Sequence, residues 1–325
     1  MLVLLSSCTS SGSNNNKEID LRVGFSGLSL ELLKNNPPQK VFEGDIFPFA
    51  VRIKNTGAYS IKDKKAVLSL GVEKDYTRNV ELLEGNRLEV EEGISTSAKL
   101  EIDGRSQVNQ KGGEEIVSYN IQTGKIDPQS EFHQSVIYAT ACYPYETILG
   151  TTVCIDTDVT NLRPEKKVCS AQDLIFANGQ GAPVAITKIE TRMLPFEISS
   201  GSPSTNEIRP QFLIYVENKG PGLVIREESV KDFCTKSNTD HGNYNIVYVN
   251  AYLSDKKLVC QLDSAPDSAE LGHIKLKDKK DIIRCYQEEG VPRTYDPYLS
   301  PLKVEMKYGY TQSISASYFI MKPVN

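Results

Sequence analysis

Apolar and polar residues alternate in short runs along this chain, and the runs stop at Gly, Pro, Asn or Asp. Period-two alternation buries one face of an extended segment and leaves the other in water. That pattern predicts strands at residues 47–54, 65–72, 97–102, 116–121, 135–141 and 151–155, with one or two more inside 21–33. It predicts others at 184–189, 212–216 and 246–253, and a closing pair at 302–308 and 313–320. Val247-Tyr248-Val249 joins β-branched and aromatic residues, which fit a pleated, half-buried surface. Residues 227–233 read as a short helix, but no 3.6-residue period persists over a long window. Polar stretches at 104–113 and 193–210 read as loops. The expected fold class is all-β.

One phrase occurs twice. Phe49-Ala50-Val51-Arg52-Ile53-Lys54-Asn55-Thr56-Gly57 returns as Phe212-Leu213-Ile214-Tyr215-Val216-Glu217-Asn218-Lys219-Gly220, each copy a strand running into Asn-x-Gly. In such a turn Gly tolerates positive φ and the Asn side chain bonds its own backbone. Tyr143-Pro144-Tyr145 is echoed by Tyr308-Gly309-Tyr310 at nearly the same spacing. We therefore expect two tandem immunoglobulin-like β-sandwich domains, 19–160 and 168–325, after an N-terminal segment and flexible linker at 1–18. A length of 325 residues suits that division, since domains usually run roughly 100–200 residues. The chain has no Trp, which argues against an antibody-type core with its Trp packed on the inter-sheet disulfide.

A net charge of −5 gives no electrostatic footprint for nucleic acid. The Lys-rich piece 275–280 is diluted by Asp278 and Asp281 and reads as a solvated loop. Leu5-Ser6-Ser7-Cys8, followed by a Ser/Asn-rich tether, resembles the lipobox of secreted lipoproteins. That resemblance implies lipidation of Cys8 and a lipid-anchored location at the cell envelope. The apolar run before it spans only residues 1–5 and carries no Lys or Arg. Setting Cys8 aside, Cys142, Cys154, Cys169, Cys234, Cys260 and Cys285 form an even set, as expected of three disulfides in an oxidising compartment. Six cysteines allow 15 pairings. The strand-turn-strand reading around Cys142 and Cys154 favours that pair, with Cys234–Cys260 and Cys169–Cys285 following. Zinc is disfavoured, because no Cys-x-x-Cys exists and His133, His241 and His273 stand singly.

Signatures of chemistry are scarce. No nucleophile elbow, zinc-protease helix or phosphate loop occurs. Gly179-Gln180-Gly181 lacks a third glycine and reads as a turn. His133 with Asp156 and a free Cys would be the enzyme constellation to look for. Asp156 and Asp158, with Asp173 nearby, are weak calcium candidates, and Asp263, Asp267 and Glu270 weaker ones. Tyr143, Tyr145, Tyr308 and Tyr310 are candidates for a binding surface; the competing expectation is that they pack in the core with satisfied hydroxyls. No Asn-x-Ser/Thr acceptor for N-glycosylation is present.

The duplicated strand with its Asn-x-Gly resembles the immunoglobulin-like, adhesion-related (CARDB-type) domains of bacterial and archaeal surface proteins. The segments Ala141-Cys142-Tyr143-Pro144-Tyr145-Glu146-Thr147 and Val153-Cys154-Ile155-Asp156 are similar to surface proteins of small-genome archaea. The resemblance implies a noncatalytic, cofactor-free protein that presents two domains for envelope structure, adhesion or binding of a protein or glycan at the cell surface. A carbohydrate- or ligand-binding accessory module of an extracellular assembly is the alternative.

Overall fold

Two strands of 24 residues each, Phe132–Ile155 and Tyr298–Met321, lie antiparallel over their entire length in the computed structural model. The register runs without interruption from Phe132 opposite Met321 to Ile155 opposite Tyr298. At about 3.3 Å per residue this spine is about 80 Å long. The structure describes residues 21–83, 89–90, 96–164, 166–197, 203–235, 240–261 and 272–323.

Four short strands were expected where these two run, because Pro144, Gly150, Pro301 and Gly309 punctuate the sequence. The chain passes through them without turning. Pro144 sits opposite Gly309. On its other side, the ladder with Ile61–Val72 ends at Cys142, so the missing N–H of Pro144 removes no bond there.

A sheet packs on each end of the spine. At one end the order is Leu28–Leu32, Ile46–Asn55, Glu114–Thr123, Thr77–Leu82. Val117, Tyr119 and Ile121 alternate inward and are fully buried, and the Phe47 ring meets Tyr318 of the spine at 5.0 Å. At the other end the order is Leu174–Ile175, Val184–Glu197, Pro203–Asn218, Lys280–Tyr286, Val259–Gln261. The spine is widened by Ile61–Val72 and Ser97–Ile102 beside its first strand and by Ile246–Leu253 beside its second. The buried apolar residues of both ends form one connected cluster.

The fold is all-β, but the tandem arrangement needs correction. Residues 309–321 of the last strand pair with 132–144, so the end of the chain completes the first sandwich rather than the second. A division at 160/168 would separate paired residues. The two sandwiches share their spine.

Segment 193–210 also departs from expectation. It holds most of a hairpin, with Met193 opposite Pro210 and Glu197 opposite Pro203. Its prolines and polar residues suggested a loop; a register shift at Pro195 accommodates them. The helical segment lies where expected, as a 3-10 turn Glu227–Ser229 leading into the helix Val230–Thr235.

The disulfides are Cys142–Cys234, Cys154–Cys169 and Cys260–Cys285. None matches the expected pairings. Cys142 and Cys154 lie on one continuous strand, about 40 Å apart at the usual rise, far beyond the reach of a disulfide. Cys142 instead ties the spine to the helix through Cys234, beside Val67, Ile225 and Val230. Cys260 and Cys285 are direct cross-strand neighbours.

Candidate functional site

Of the two expectations for the four tyrosines, a binding surface or a packed core, the structure shows the core. Tyr143 faces Tyr310 and Tyr145 faces Tyr308 across the spine, and all four are buried. Their rings close a quartet with centroid separations of 5.8, 5.7, 6.4 and 6.5 Å. Each hydroxyl reaches across the core to the end of a facing strand. Tyr143 accepts from the Leu28 amide at 3.2 Å, and Tyr308 accepts from the Val184 amide at 3.3 Å. Tyr145 donates to Asn55 Oδ1 at 3.2 Å, and Tyr310 donates to Asn218 Oδ1 at 3.2 Å. Burial raises all four phenols above their ordinary value, Tyr310 to about 12. They remain neutral, and together the four form a clasp in the core.

The clasp also explains the duplicated phrase. Asn55 Oδ1 takes the Gly57 amide at 3.2 Å and Asn218 Oδ1 takes the Gly220 amide at 3.1 Å, as the turn chemistry predicts. The glycines serve a different purpose from the one expected, since neither has positive φ. A Cβ on Gly57 would collide with the Tyr145 hydroxyl, and one on Gly220 with that of Tyr310. Between them sits Gly179-Gln180-Gly181, the expected turn. Its Gly181 carbonyl accepts from the Ala58 amide at 2.8 Å, which locks the two sandwiches at the waist.

Asp156 and Asp158 follow the spine at its far tip, and both are buried. The place a calcium ion would take is filled by Lys167. Its ammonium bonds both Asp156 oxygens at 3.0 Å and the Asp158 carbonyl. Asp158 turns its carboxylate to the amides of Leu162 at 3.0 Å and Arg163 at 3.3 Å. Burial raises the Asp158 carboxyl, but those amides and the Lys167 charge outweigh it and hold the group below its usual range. Asp173 pairs with Lys188 at 3.0 Å and takes no part. Asp263, Asp267, Glu270 and Cys8 lie outside the described residues.

The enzyme constellation does not assemble. His133 bonds Glu73 at 2.9 Å at one end of the spine, Asp156 lies beyond the other end, and the six cysteines from 142 onward are in disulfides. Among the described residues no group of three or more His, Cys, Asp or Glu converges as a metal site.

The Asp/Lys loop and the segment 295–299 tied to it carry exposed apolar side chains, together termed the apolar tip. Leu162 is 82% exposed, Val168 75%, Leu299 59% and Tyr295 57%. Val159, in the same loop, and Tyr298, next to Leu299 in sequence, are exposed as well. Cys154–Cys169 fastens the loop beside Leu299, which is the neighbour of Cys154 in the ladder. Arg163 clamps it to the Tyr295 carbonyl at 2.8 Å and to Asp296 at 3.2 Å. Sequence reading missed this tip because its residues come from two distant segments. The visible signal was isolated apolar residues, Leu162 and Val168, in an otherwise polar linker.

No family model and no curated protein matches this chain. Among solved structures it aligns with the partial N-terminal region of an enterococcal surface protein, at 8% identity over 95% of this chain and 97% of that one, with a TM-score of 0.20. It also aligns with a structure described as the manganese lipoxygenase of Gaeumannomyces graminis with part of zonadhesin of Komagataella pastoris, at 9% identity over 92% and 94%, with a TM-score of 0.13. TM-scores this low carry no argument, and the all-β assignment rests on the strands themselves.

Proposed function

We propose that this chain is a noncatalytic extracellular protein, anchored through lipid on Cys8, that binds a partner protein at the cell surface through the apolar tip around Leu162 and Leu299. The tip carries the reading: large aliphatic and aromatic side chains stand in solvent on a loop fixed by a disulfide and a buried Lys–Asp pair. Exposed apolar clusters of this kind mark contact sites, and pre-fixed loops lose little conformational freedom on binding. Three disulfides support an oxidising location.

The test is retention of beads coated with the full chain on a layer of intact cells. Leu162→Asp with Leu299→Asp abolishes retention and leaves the melting temperature unchanged. Equal retention of this variant rejects the tip. Nonreducing mass spectrometry of the native protein tests location: lipid on Cys8 and six blocked sulfurs are expected, and free thiols with an unmodified Cys8 reject the surface reading.

A further inference from the structure

The second spine strand, Tyr298–Met321, has one side fully paired with Phe132–Ile155. Along its other side lies a single lane filled by pieces of the same chain. Ile246–Leu253 pairs with residues 302–307, Leu223–Ile225 with 309–311, and Lys40–Phe42 with 319–321. Residues 312–318 have no neighbour in that lane among the described residues. The Phe319 amide points into the lane, bonding the Gln39 carbonyl at 2.9 Å. Alternate residues of a strand direct their backbone to the same side, so the N–H and C=O groups of Ser313, Ser315 and Ser317 face the gap. All three residues are exposed.

We infer that this gap is a β-addition site for a short, uncharged, extended segment of another polypeptide, with apolar side chains at alternate positions. Four observations choose that occupant. The backbone groups stand at strand spacing, and a β-strand is the ligand whose own backbone matches them. The lane is already continued as strand by the chain itself at both ends of the gap. No charged residue lies between Tyr308 and Met321, whereas several other described edges carry charge. Leu28–Leu32 carries Glu31, Thr77–Leu82 carries Arg78 and Glu81, and Lys256–Lys257 is charged throughout. Charge is the usual guard against strand addition, and here it is missing. Finally, a cavity of about 490 Å³ opens at one end of the gap, with Leu28, Leu30, Pro183, Pro221, Leu223 and Ile314 among its lining. It accepts inward side chains of the added strand.

The flanking strands also limit the guest. The gap is about 23 Å long at 3.3 Å per residue, bounded by Leu223–Ile225 and Lys40–Phe42. The 24-residue edge of a second copy would run into both. A free segment fits; a folded copy does not. The site is separate from the tip and does not depend on it.

The probe is an end-blocked, fluorescein-labelled heptapeptide of alternating valine and serine, titrated with the full chain by anisotropy and followed by hydrogen exchange. Bound peptide slows exchange of the Ser313, Ser315 and Ser317 amides. Ser315→Pro removes an outward N–H without touching the ladder to Phe132–Ile155, and weakens binding about tenfold or more. Ser315→Ala keeps the backbone and retains binding. Absence of peptide binding, undiminished binding to Ser315→Pro, or slowing confined to Leu28–Leu32 overturns the site. Slowing of the three serine amides on raising protein concentration alone, with a dimer in sedimentation, assigns the gap to a second copy and also overturns it. Should Ser315→Pro not fold, the exchange footprint on the unmodified chain decides.

Discussion

Tyr145 and Tyr310 lie on different strands of the spine, yet each donates its hydroxyl to the asparagine that ends a facing strand, at 3.2 Å in both cases. Each hydroxyl also accepts a backbone amide, from Tyr59 at 3.4 Å and from Gly222 at 2.7 Å. Tyr145→Phe and Tyr310→Phe therefore leave buried polar groups without a partner, at about 1–3 kcal/mol each. Gly57→Ala and Gly220→Ala force a methyl group onto the same hydroxyls and cost at least as much. Urea unfolding of the four single variants checks both statements.

The Lys167 ammonium occupies the position between Asp156 and Asp158 that a cation would need. Calcium or a chelator added to the unmodified protein is expected to leave its melting temperature unchanged. Lys167→Met leaves the Asp156 carboxylate buried without its counter-charge and destabilises by about 3 kcal/mol. Differential scanning calorimetry in both media reads the two outcomes together.

Glu190 lies on the outer face of the second sandwich. The Tyr215 hydroxyl at 2.5 Å, then Lys188 at 2.9 Å and Arg192 at 2.8 Å, lower its carboxyl from 4.5 to about 2. The folded state thus binds fewer protons here than the unfolded state. This contribution is complete above pH 4.5 and is lost as pH falls toward 2. Melting temperature against pH should decline in that window, and Glu190→Gln should flatten this part of the decline.

Nonreducing peptide mapping should recover Cys142–Cys234, Cys154–Cys169 and Cys260–Cys285. Replacing Cys142 and Cys234 together by Ala opens the connection between residues 92 apart in sequence, at about 2–4 kcal/mol. Thermal unfolding of that double variant measures it.

The alternating pattern located individual strands well. Ser97–Ile102 matches its expected bounds, and 47–54 and 212–216 fall inside Ile46–Asn55 and Pro203–Asn218. It failed where local punctuation was overruled by tertiary pairing. Pro144 and Gly309 look like breaks, but each faces the other in the ladder and the chain continues. That one misreading propagated: with Cys142 and Cys154 placed on separate strands, a bond between them looked natural. Tyrosine spacing was legible, and the structure bears out the expectation that these rings pack in the core; the hydroxyl partners Asn55, Asn218, Leu28 and Val184 were not legible, because strands distant in sequence bring them in. The apolar tip and the gap at 312–318 arise from the meeting of remote segments.

The uninterrupted pairing of Phe132–Ile155 with Tyr298–Met321 has a mechanical corollary. Tension applied between Phe132 and Tyr298, at opposite ends of neighbouring strands, loads the interstrand bonds in parallel, so they must rupture together rather than unzip one by one. Drawn along that axis, the molecule resists like a tie-rod, while the same strands peeled from one end would yield stepwise.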